Sequence, residues 1–392
     1  MARQTKARKQ ITAKAYADTK IPVLSFFTGG GFLDIGFEQS GFEIVWTNEV
    51  SSQYRELYSH GYRSWRRATK RGSKLPVLES RSIKDLKANA VVRAAFQGSK
   101  PEVFGVIGGP PCPDFSRMGQ HAGHRGKNGK LTSIYAKMIC AIKPTFFVLE
   151  NVAGLASYKK HRTHFWRIKK RLEDAGYATD YTTLNALEFG VPQHRERLFL
   201  IGFLKRKVNG HEYQNAGGEG TWFNWPVVEQ YKNAEILFNW PSSNKFGATP
   251  KKPRGIPGEL CVGTHMVPKS KLAITPNAEN QFVPYSKKFK RVWEGDTSQK
   301  SFKRLHRHRF SPTACYGNNE VHLHPWEPRR LSLREVMRIQ GVPDNYVLPD
   351  DLKLQPAYKL VSNGVPVPMA KHLAETIKSY LVENIKTTTR KN

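Results

Sequence analysis

The sequence contains few cysteines and comparatively few acidic residues, and it has no long apolar segment. Only 4 of its 392 residues are cysteine, and none are spaced as Cys-x-x-Cys: Cys112, Cys140, Cys261 and Cys315. This spacing argues against a zinc site, and the low number fits a reducing environment. No apolar run reaches the roughly 18 residues that a membrane-spanning helix needs, so we predict no membrane span. The opening MARQTKARKQITAKA likewise lacks the apolar core of a secretory signal.

Acidic residues are outnumbered by basic ones. Lysine and arginine total 63 against 32 aspartates and glutamates, which gives a formal net charge of +31. A surplus of this size is typical of proteins that bind polyanions, because neutralised phosphates release condensed counterions. Aromatic residues alternate with cations over residues 54–74 and 285–293, which favours phosphate contacts combined with stacking. We therefore expect nucleic acid as the partner, with residues 1–20 forming a basic N-terminal arm.

The first 204 residues alternate short apolar runs with segments of helical spacing. Strands are predicted at 22–27, 42–50, 103–109, 145–152, 179–187 and 196–204. Helices are predicted at 33–41, 51–62, 131–143 and 161–176, and later at 329–346 and 372–385. Strands that alternate with helices predict an α/β fold with a doubly wound parallel sheet.

Residues 205–325 have a different texture, rich in Gly, Pro, Asn, Lys and Trp and without a clear period. We interpret them as a smaller irregular domain and not as a linker, because four tryptophans need apolar partners: Trp222, Trp225, Trp240 and Trp293. The predicted organisation is a basic arm at 1–20, an α/β domain at 21–204, the irregular domain at 205–325 and helices at 326–392 that complete the α/β domain.

Glycines lie at the first predicted strand-to-helix turn, in the segment FFTGGGFLDIG. Gly29, Gly31 and Gly36 meet the dinucleotide pattern Gly-x-Gly-x-x-Gly only in part. Glu49 ends the second predicted strand, where an acidic residue can accept hydrogen bonds from ribose hydroxyls. Two interpretations of these residues stay open: a tight turn with a solvated strand end, or a site for a dinucleotide or another adenosine cofactor.

The stretch GGPPCPDFSRMG places Cys112 behind two prolines at the end of a predicted strand. A lone cysteine is usually a small buried apolar residue, whereas a nucleophilic one needs exposure and a lowered pKa. Glu150 ends the next predicted strand, and the segment QHRER brings Arg195 and Arg197 to the start of a further one. A thiol, a carboxyl group and two guanidinium groups at one sheet edge predict a reactive site.

The order of these motifs resembles that of the DNA cytosine-5 methyltransferases, over residues 21–380. The segments that carry the resemblance are FFTGGGF, GGPPCPDFS, ENV, QHRER, RRLSLREVMRIQGVPD and SNGVP. The resemblance implies a Rossmann-like methyltransferase domain, with residues 205–325 as the target-recognition domain. The compact chain is typical of a prokaryotic restriction-modification enzyme.

The resemblance also implies S-adenosyl-L-methionine as the cofactor. Phe27 would lie near the adenine, Gly29 and Gly31 under the methionine part, and Glu49 on the ribose. The last motif would fold back to the cofactor. The full set of expected cofactor-binding residues is Phe27, Thr28, Gly29, Gly31, Glu49, Val50, Ser82, Ile83, Pro110, Asn363 and Val365.

The family's chemistry implies that the Cys112 thiolate adds to carbon-6 of cytosine, which makes carbon-5 nucleophilic. Glu150 would relieve the resulting negative charge by sharing a proton with ring nitrogen 3. We expect Asn151 to hold this strand end, Arg195 to contact the base carbonyl or stabilise the thiolate, and Arg197 to be a structural or phosphate partner. The reacting atoms are inaccessible in a duplex, so the base must be flipped out. Contacts with DNA are expected from Ser116, His121 and Gln193.

Four positions depart from the family pattern. Ser25 stands where the family usually has Asp, so one contact near the cofactor is lost or supplied by water. Ser82, or alternatively Asp85, is expected to meet the adenine amino group. Pro113 replaces a common Gln, and Ser362 replaces the first Gly of the last motif. Because none of these changes touches the thiol, the carboxyl group or the arginine pair, we expect an active enzyme.

The expected partner is double-stranded DNA, with no metal and no membrane, and the expected state is a monomer. If the source is prokaryotic, we expect the protein in the cytoplasm, associated with the nucleoid. A cognate restriction endonuclease, where one exists, would act separately. One alternative is a transfer-RNA cytosine methyltransferase, and the other is an inactive DNA-binding protein. The large basic insertion favours duplex DNA, and intact Cys112, Glu150 and Arg195 favour an enzyme. Polar residues of the late helix are expected to organise the recognition region: Arg330, Arg334, Glu335 and Gln340.

Overall fold

The computed structural model describes residues 18–111, 129–209, 222–283, 286–299, 301–314, 316 and 321–385. The strands are β1 Ile21–Phe26, β2 Phe42–Asn48, β3 Val77–Glu79, β4 Gly105–Gly108, β5 Phe146–Val152, β6 Tyr177–Asn185, β7 Glu196–Leu204, β8 Lys303–Arg304 and β9 His322–Leu323. The helices are α1 Phe32–Gln39, α2 Ser52–Ala68, α3 Ala88–Phe96, α4 Gly129–Ile142, α5 Gly154–Ser157, α6 Lys159–Asp174, α7 Ala234–Leu237, α8 Leu333–Ile339, α9 Leu354–Asn363 and α10 Val367–Asn384. This alternation confirms the predicted α/β fold.

Within the described residues, seven strands form one sheet in the order β3-β2-β1-β4-β5-β7-β6. The central strands β1, β4 and β5 are apolar along nearly their whole length and are buried. Such continuous apolar runs are typical of strands covered on both faces of a parallel sheet. β1 pairs in parallel with β2 and β4, and β4 pairs in parallel with β5. Their carboxyl ends therefore lie together, at what we call the carboxyl edge.

Strand β7 corrects the expectation of a wholly parallel sheet, because it pairs antiparallel with both β5 and β6. A parallel connection needs a crossover of a dozen or more residues, usually a helix. Only a short 3-10 turn, Ala186–Phe189, and a few further residues join β6 to β7. The chain therefore reverses, and β7 begins at the carboxyl edge.

Two elements have too little sequence signal to be predicted. β3 is only three residues long and is not buried, so it lacks a recognisable apolar pattern. α9 carries the motif SNGVP at its end, and its helical periodicity is interrupted by Pro356 in the first turn. A proline is tolerated there because the first helical N–H groups have no partner within the helix.

Helices cover both faces of the sheet and create two apolar cores. One core joins α1 and α10 to the strands through residues such as Phe37, Ile201 and Leu373. The other joins α4 and α6 to the opposite face through Ile139 and Leu172. A third core unites α2, α8 and α9 beside the end of the sheet.

Most of the described part of 205–325 consists of irregular segments and short 3-10 turns, as expected: Glu229–Tyr231, Gly258–Leu260, Val262–His265, Lys269–Ile274 and Lys287–Lys290. This region shares its packing with the α/β domain. Trp222 and Trp225 pack against the core that contains α10, and the Trp240 ring centroid lies 4.8 Å from that of Phe310. Trp293 is 53% exposed, so the expectation that it has apolar cover is wrong. The domain boundaries stay predictions.

The polar residues of α8 are placed as structural supports. Arg334 is fully buried and donates to the backbone oxygens of Pro276 and Tyr346. Glu335 completes a capping box with Ser332 and accepts the backbone N–H of Val267. These bonds tie the irregular region to the third core, in agreement with the structural role expected for this helix. None of the described helices is both long and apolar enough to span a membrane.

Helices α1 and α10 approach each other most closely at Gly36. A Cβ atom on this residue would lie 2.6 Å from the Ala370 Cβ and 2.7 Å from the Lys371 backbone nitrogen. We predict that Gly36→Ala lowers the unfolding free energy by about 1–3 kcal/mol, because the helices must separate. Gly98→Ala is the matched control, since the nearest atom to its new Cβ lies 3.6 Å away. Urea unfolding curves measure both variants, and a Gly36→Ala protein as stable as wild type would contradict this close packing.

Candidate active site

The glycine turn, residues 27–31, leaves the carboxyl edge at the end of β1. Gly31 has a φ of 72°, and a Cβ there would lie 2.5 Å from Tyr58 Cε2 on α2. A left-handed backbone and a close ring together require glycine. At Gly29 a Cβ would meet no atom closer than 4.0 Å. The turn is therefore packed on its inner side at Gly31 and open at Gly29.

Glu49 joins the end of β2 to this turn. Its carboxylate accepts the Gly29 N–H at 3.1 Å and the Ser51 N–H at 2.9 Å. Burial raises the pKa of Glu49, and these backbone bonds oppose the rise. Arg55 donates to the backbone oxygens of Glu49 and Val50 at 2.9 and 2.7 Å, which fixes the segment.

The opening beside Gly29 has the chemistry of an adenosine site. Val50 leaves 66% of its surface exposed next to the Glu49 carboxylate. An apolar surface beside a carboxylate suits a purine ring and ribose hydroxyls respectively. Phe27 is partly buried and has its φ at 54°, a conformation in which a bulky residue is uncommon. The residues present thus fit the expected cofactor, and the assignment stays a prediction.

The loop after β3 lies at the same edge. Asn48 at the end of β2 donates to the backbone oxygens of Glu79 and Arg81, which holds this loop beside the glycine turn. Ser82 caps the short 3-10 turn Ile83–Asp85 by accepting the Lys84 N–H. Ile83 is only 2% exposed, so its predicted contact with the cofactor is not available in this conformation and stays a prediction.

Glu150 lies near the end of β5, where β7 begins beside it. Its Oε1 lies 3.0 Å from Arg197 Nε, and only 7% of the residue is exposed. Burial raises the pKa of Glu150, and the charges of Arg197 and then Arg195 oppose the rise. A carboxyl group in this setting can hold a proton at a higher pH than an exposed one.

The segment that leads to Cys112 starts against this carboxyl group. A Cβ on Gly109 would lie 2.5 Å from Glu150 Oε2, so a glycine is required for the approach. Asn151 donates to the backbone oxygen of Pro110 at 3.4 Å, and its expected role at this strand end stays a prediction. The remaining predicted residues of this segment lie outside the described part of the chain: Cys112, Pro113, Ser116 and His121.

The two arginines are held by different partners. Arg195 is fully buried and donates to the backbone oxygens of Ala314, Ser362 and Gly364, at 3.3, 2.6 and 3.0 Å. Arg197, expected as a structural or phosphate partner, is the one that pairs with Glu150. A contact of Arg195 with the base stays a prediction.

The bonds of Arg195 bring the last motif to the site. Asn363, at the end of α9, is exposed, whereas Val365 is buried in the core with α1 and α10. Gln193 is fully buried, and its side-chain oxygen accepts the Ala314 N–H at 3.1 Å. Its predicted contact with DNA is therefore not available to the side chain in this conformation and stays a prediction.

At two positions that depart from the family pattern, the side-chain hydroxyl makes a hydrogen bond within the protein. Ser25 donates to Asp34 at 2.6 Å, so its hydroxyl takes a protein partner and not a water. Ser362 donates to the Tyr316 or the Lys359 backbone oxygen, at 3.2 and 3.0 Å. Asp34 was not among the predicted residues, and its only signal in the sequence is an acidic residue on the apolar face of α1. In the described part of the chain, no group of three or more His, Cys, Asp or Glu side chains is placed to hold a metal ion.

The chain is similar to known proteins over most of its length. The chain matches the family model for C-5 cytosine-specific DNA methylase over residues 21–379. It is 42% identical over 370 residues to the Type II methyltransferase M.NmeDI of Neisseria meningitidis serogroup C, covering 92% of this chain and 84% of that protein. It is 31% identical over 372 residues to the Type II methyltransferase M.FnuDI of Fusobacterium nucleatum, covering 93% and 96%.

Solved structures share the fold at much lower identity. The S. pombe Dnmt2 methyltransferase aligns with a TM-score of 0.57 at 14% identity, over 93% of this chain and 98% of that one. The Entamoeba histolytica methyltransferase EhMeth aligns with a TM-score of 0.55 at 13% identity, over 93% and 98%. The predicted Rossmann-like methyltransferase fold is confirmed.

The Glu150–Arg197 pair predicts a pH-dependent loss of stability. Arg197→Met should lower the unfolding free energy by about 1–3 kcal/mol at pH 8, because the buried carboxylate loses its strongest opposing charge. The loss should be smaller at about pH 5, because Glu150 can take up a proton there and the variant raises the pKa of Glu150 further. Denaturant unfolding at both pH values measures the effect. In a Glu150→Gln background the pH dependence of the loss should disappear, and its persistence would show that the pair is not its source.

Proposed function

Because the chain belongs to the C-5 cytosine-specific DNA methylase family, we propose that it transfers a methyl group from S-adenosylmethionine to carbon-5 of a flipped-out cytosine in a specific duplex DNA sequence. Cys112 forms a transient covalent bond to the base in this proposal. The observation that carries it is the buried Glu150 carboxyl group, paired with Arg197 and in contact with Gly109 of the cysteine segment.

The donor is assigned to the opening beside Gly29. Glu49 would accept hydrogen bonds from the ribose, while Phe27 and Val50 would contact the adenine. Gly29 and Gly31 carry no side chain that would keep the methionine part of the donor away from the backbone. When bound, S-adenosylmethionine supplies an electrophilic methyl group on a positively charged sulfur.

The chemistry depends on making carbon-5 of cytosine a nucleophile. The Cys112 thiolate adds to carbon-6, and the electron pair displaced from the 5,6 double bond becomes available at carbon-5. A proton held by Glu150 at ring nitrogen 3 neutralises the charge that would otherwise build up on the ring. Arg197 orients Glu150 and keeps its pKa from rising further.

The reaction ends by restoring the aromatic base. Carbon-5 carries both the new methyl group and its original proton. A base removes that proton, the 5,6 double bond forms again, and the carbon–sulfur bond breaks to release the Cys112 thiolate. The proton on ring nitrogen 3 returns to Glu150. The proposal does not depend on Arg195 touching the base, because its guanidinium already holds the last motif in place.

The substrate enters as a duplex with one base turned out. Flipping a base costs on the order of a few kcal/mol, and phosphate contacts from a chain of net charge +31 can offset it. We assign base recognition to residues 205–325, where regular secondary structure is sparse and the side chains are strongly basic. Phosphate contacts position such a domain, and a few side chains in the groove specify the sequence.

The names of two bacterial relatives support a role in a restriction-modification system. M.NmeDI and M.FnuDI are both Type II methyltransferases. We propose the same role here, with a separate cognate endonuclease, a monomeric methyltransferase and action on DNA in the cytoplasm.

The covalent step is tested with trapped DNA. Duplex DNA that carries 5-fluorocytosine in the recognised sequence, found beforehand by bisulfite sequencing, should give a covalent complex with the wild-type chain, because fluorine blocks the final proton loss. Cys112→Ser should give no complex and no methyl transfer, and it should bind unmodified DNA with a Kd within about threefold of wild type. Absence of the adduct from the active wild type would contradict the covalent route. Methylation of transfer RNA in place of duplex DNA would contradict the substrate.

Glu150→Gln tests the proton donor. The variant keeps the shape of the side chain but cannot deliver a proton, so kcat should fall by about 10²–10⁴-fold, with the Kd for DNA little changed. Glu196→Gln is the control, because the side chain of this glutamate is exposed and its contact with Arg197 is made by the backbone oxygen, which the substitution leaves in place. Single-turnover methyl transfer from radiolabelled donor measures both. A Glu150→Gln enzyme with wild-type kcat would rule out proton delivery by this residue.

A further inference from the structure

A buried polar cluster lies directly beneath the glycine turn, on the side away from the opening. Asp34 on α1 is fully buried, and Ser25 on β1 is 1% exposed. The Ser25 hydroxyl donates to Asp34 Oδ1 at 2.6 Å. The Thr28 hydroxyl lies 3.2 Å from Ser25 Oγ and 3.3 Å from the Ser25 backbone oxygen. Since Ser25 gives its single proton to Asp34, its oxygen is left to accept from Thr28.

The cluster contacts the turn through the Thr28 side chain, and backbone hydrogen bonds also hold the turn. The Thr28 N–H donates to the Asn48 backbone oxygen at 3.0 Å, and the Gly31 N–H donates to the Thr28 backbone oxygen at 2.8 Å. Thr28 is therefore the one residue of the turn linked both to β2 and, through Ser25, to Asp34 on α1. Any shift of Asp34 or Ser25 moves Thr28 relative to Gly29 and the opening.

Stability alone gives little reason to retain an acid at this place. Burying an ionisable group costs free energy because the group loses its hydration. A protein with an apolar residue of similar size at the same place is usually as stable or more stable. Groups from every neighbouring element face Asp34, and several of them are acidic or phenolic: Glu38 on α1, Tyr58 and Tyr62 on α2, and Tyr346 after α8. Glu38 is itself paired with Arg66 and lies near Arg71.

We propose that Asp34 is a positioning residue for the methyl donor, which acts through Ser25 and Thr28 to fix the shape of the turn against which the donor binds. The inference rests on the proposed function, since it takes the opening beside Gly29 as the donor site. It assigns Asp34 no contact with the donor or with the cytosine. It also assigns Ser25 a role at the position where the family usually has Asp.

Asp34 and Ser25 are tested by donor binding to the full chain. Ser25→Ala removes the middle of the linkage, and Asp34→Leu removes its end while filling the same space. Each variant should weaken the Kd for S-adenosylhomocysteine, measured by titration calorimetry, about five- to tenfold. The double variant should bind no more weakly than either single one, because one linkage is lost only once. The KM for the donor should rise by the same factor, with kcat at saturating donor within about twofold of wild type.

Two further variants separate positioning from general damage to the core. Asp34→Asn keeps an oxygen that accepts the Ser25 hydroxyl, so it should bind within about twofold of wild type. Tyr62→Phe removes a buried hydroxyl that faces Glu38 and keeps the ring, so it should not change the Kd. If Asp34→Leu does not fold, the test is the comparison of the Kd of Ser25→Ala with that of Tyr62→Phe. Wild-type affinity in Ser25→Ala, additive losses in the double variant, or an equal loss in Tyr62→Phe would overturn the inference.

The ionisation of Asp34 supplies an independent readout. Burial raises the pKa of Asp34 from its ordinary 3.8 to about 7. Between these values the folded chain holds a proton that the unfolded chain has lost, so the unfolding free energy falls as the pH rises. The fall should be reduced in Asp34→Asn, and an unchanged pH profile would contradict the buried setting on which the inference depends. Failure of the wild-type chain to bind S-adenosylhomocysteine would instead overturn the proposed function.

Discussion

The direction of one strand makes the burial of Glu150 possible. β7 runs antiparallel between β5 and β6, so its first residues lie at the edge where β5 ends. Val152 is opposite Arg197 and Glu150 is opposite Phe199 in this register. A parallel β7 would begin at the other edge and would leave Glu150 buried without an opposing charge. Such a carboxylate would be costly or would take up a proton permanently.

The two halves of the site use the same edge in different ways. On one side, the glycine turn and Glu49 form an opening whose polar groups are backbone N–H groups and a carboxylate. On the other, Glu150 and Asn151 touch the start of the cysteine segment. β1 and β4 are adjacent, and so are β4 and β5, so the two halves are held at a separation set by strand spacing. Rigid strands are well suited to holding two bound groups in a fixed relation, as the proposed methyl transfer requires.

Much of this arrangement could be predicted from local patterns. Short apolar runs between helical segments located six strands, the glycines located the turn, and the carboxyl-edge rule brought Glu49 and Glu150 to one side. The direction of β7 could not be predicted in this way, because it follows from a short connection and not from the strand's composition. The contacts of Arg195 were equally hidden, since its partners lie 119 to 169 residues away in the chain. Asp34 looked like an interruption of an apolar face, because its partner Ser25 is on a different element.

Arg195 also sets an order of events during synthesis. Its three acceptors, at Ala314, Ser362 and Gly364, leave the ribosome long after the strand that the arginine precedes. Until then its charged group must stay hydrated, because a buried guanidinium without acceptors is strongly unfavourable. The end of the sheet that holds Glu150 therefore closes only after the last of these acceptors has emerged. A nascent chain halted before residue 362 would lack two of these three acceptors, and this end of the sheet would stay hydrated.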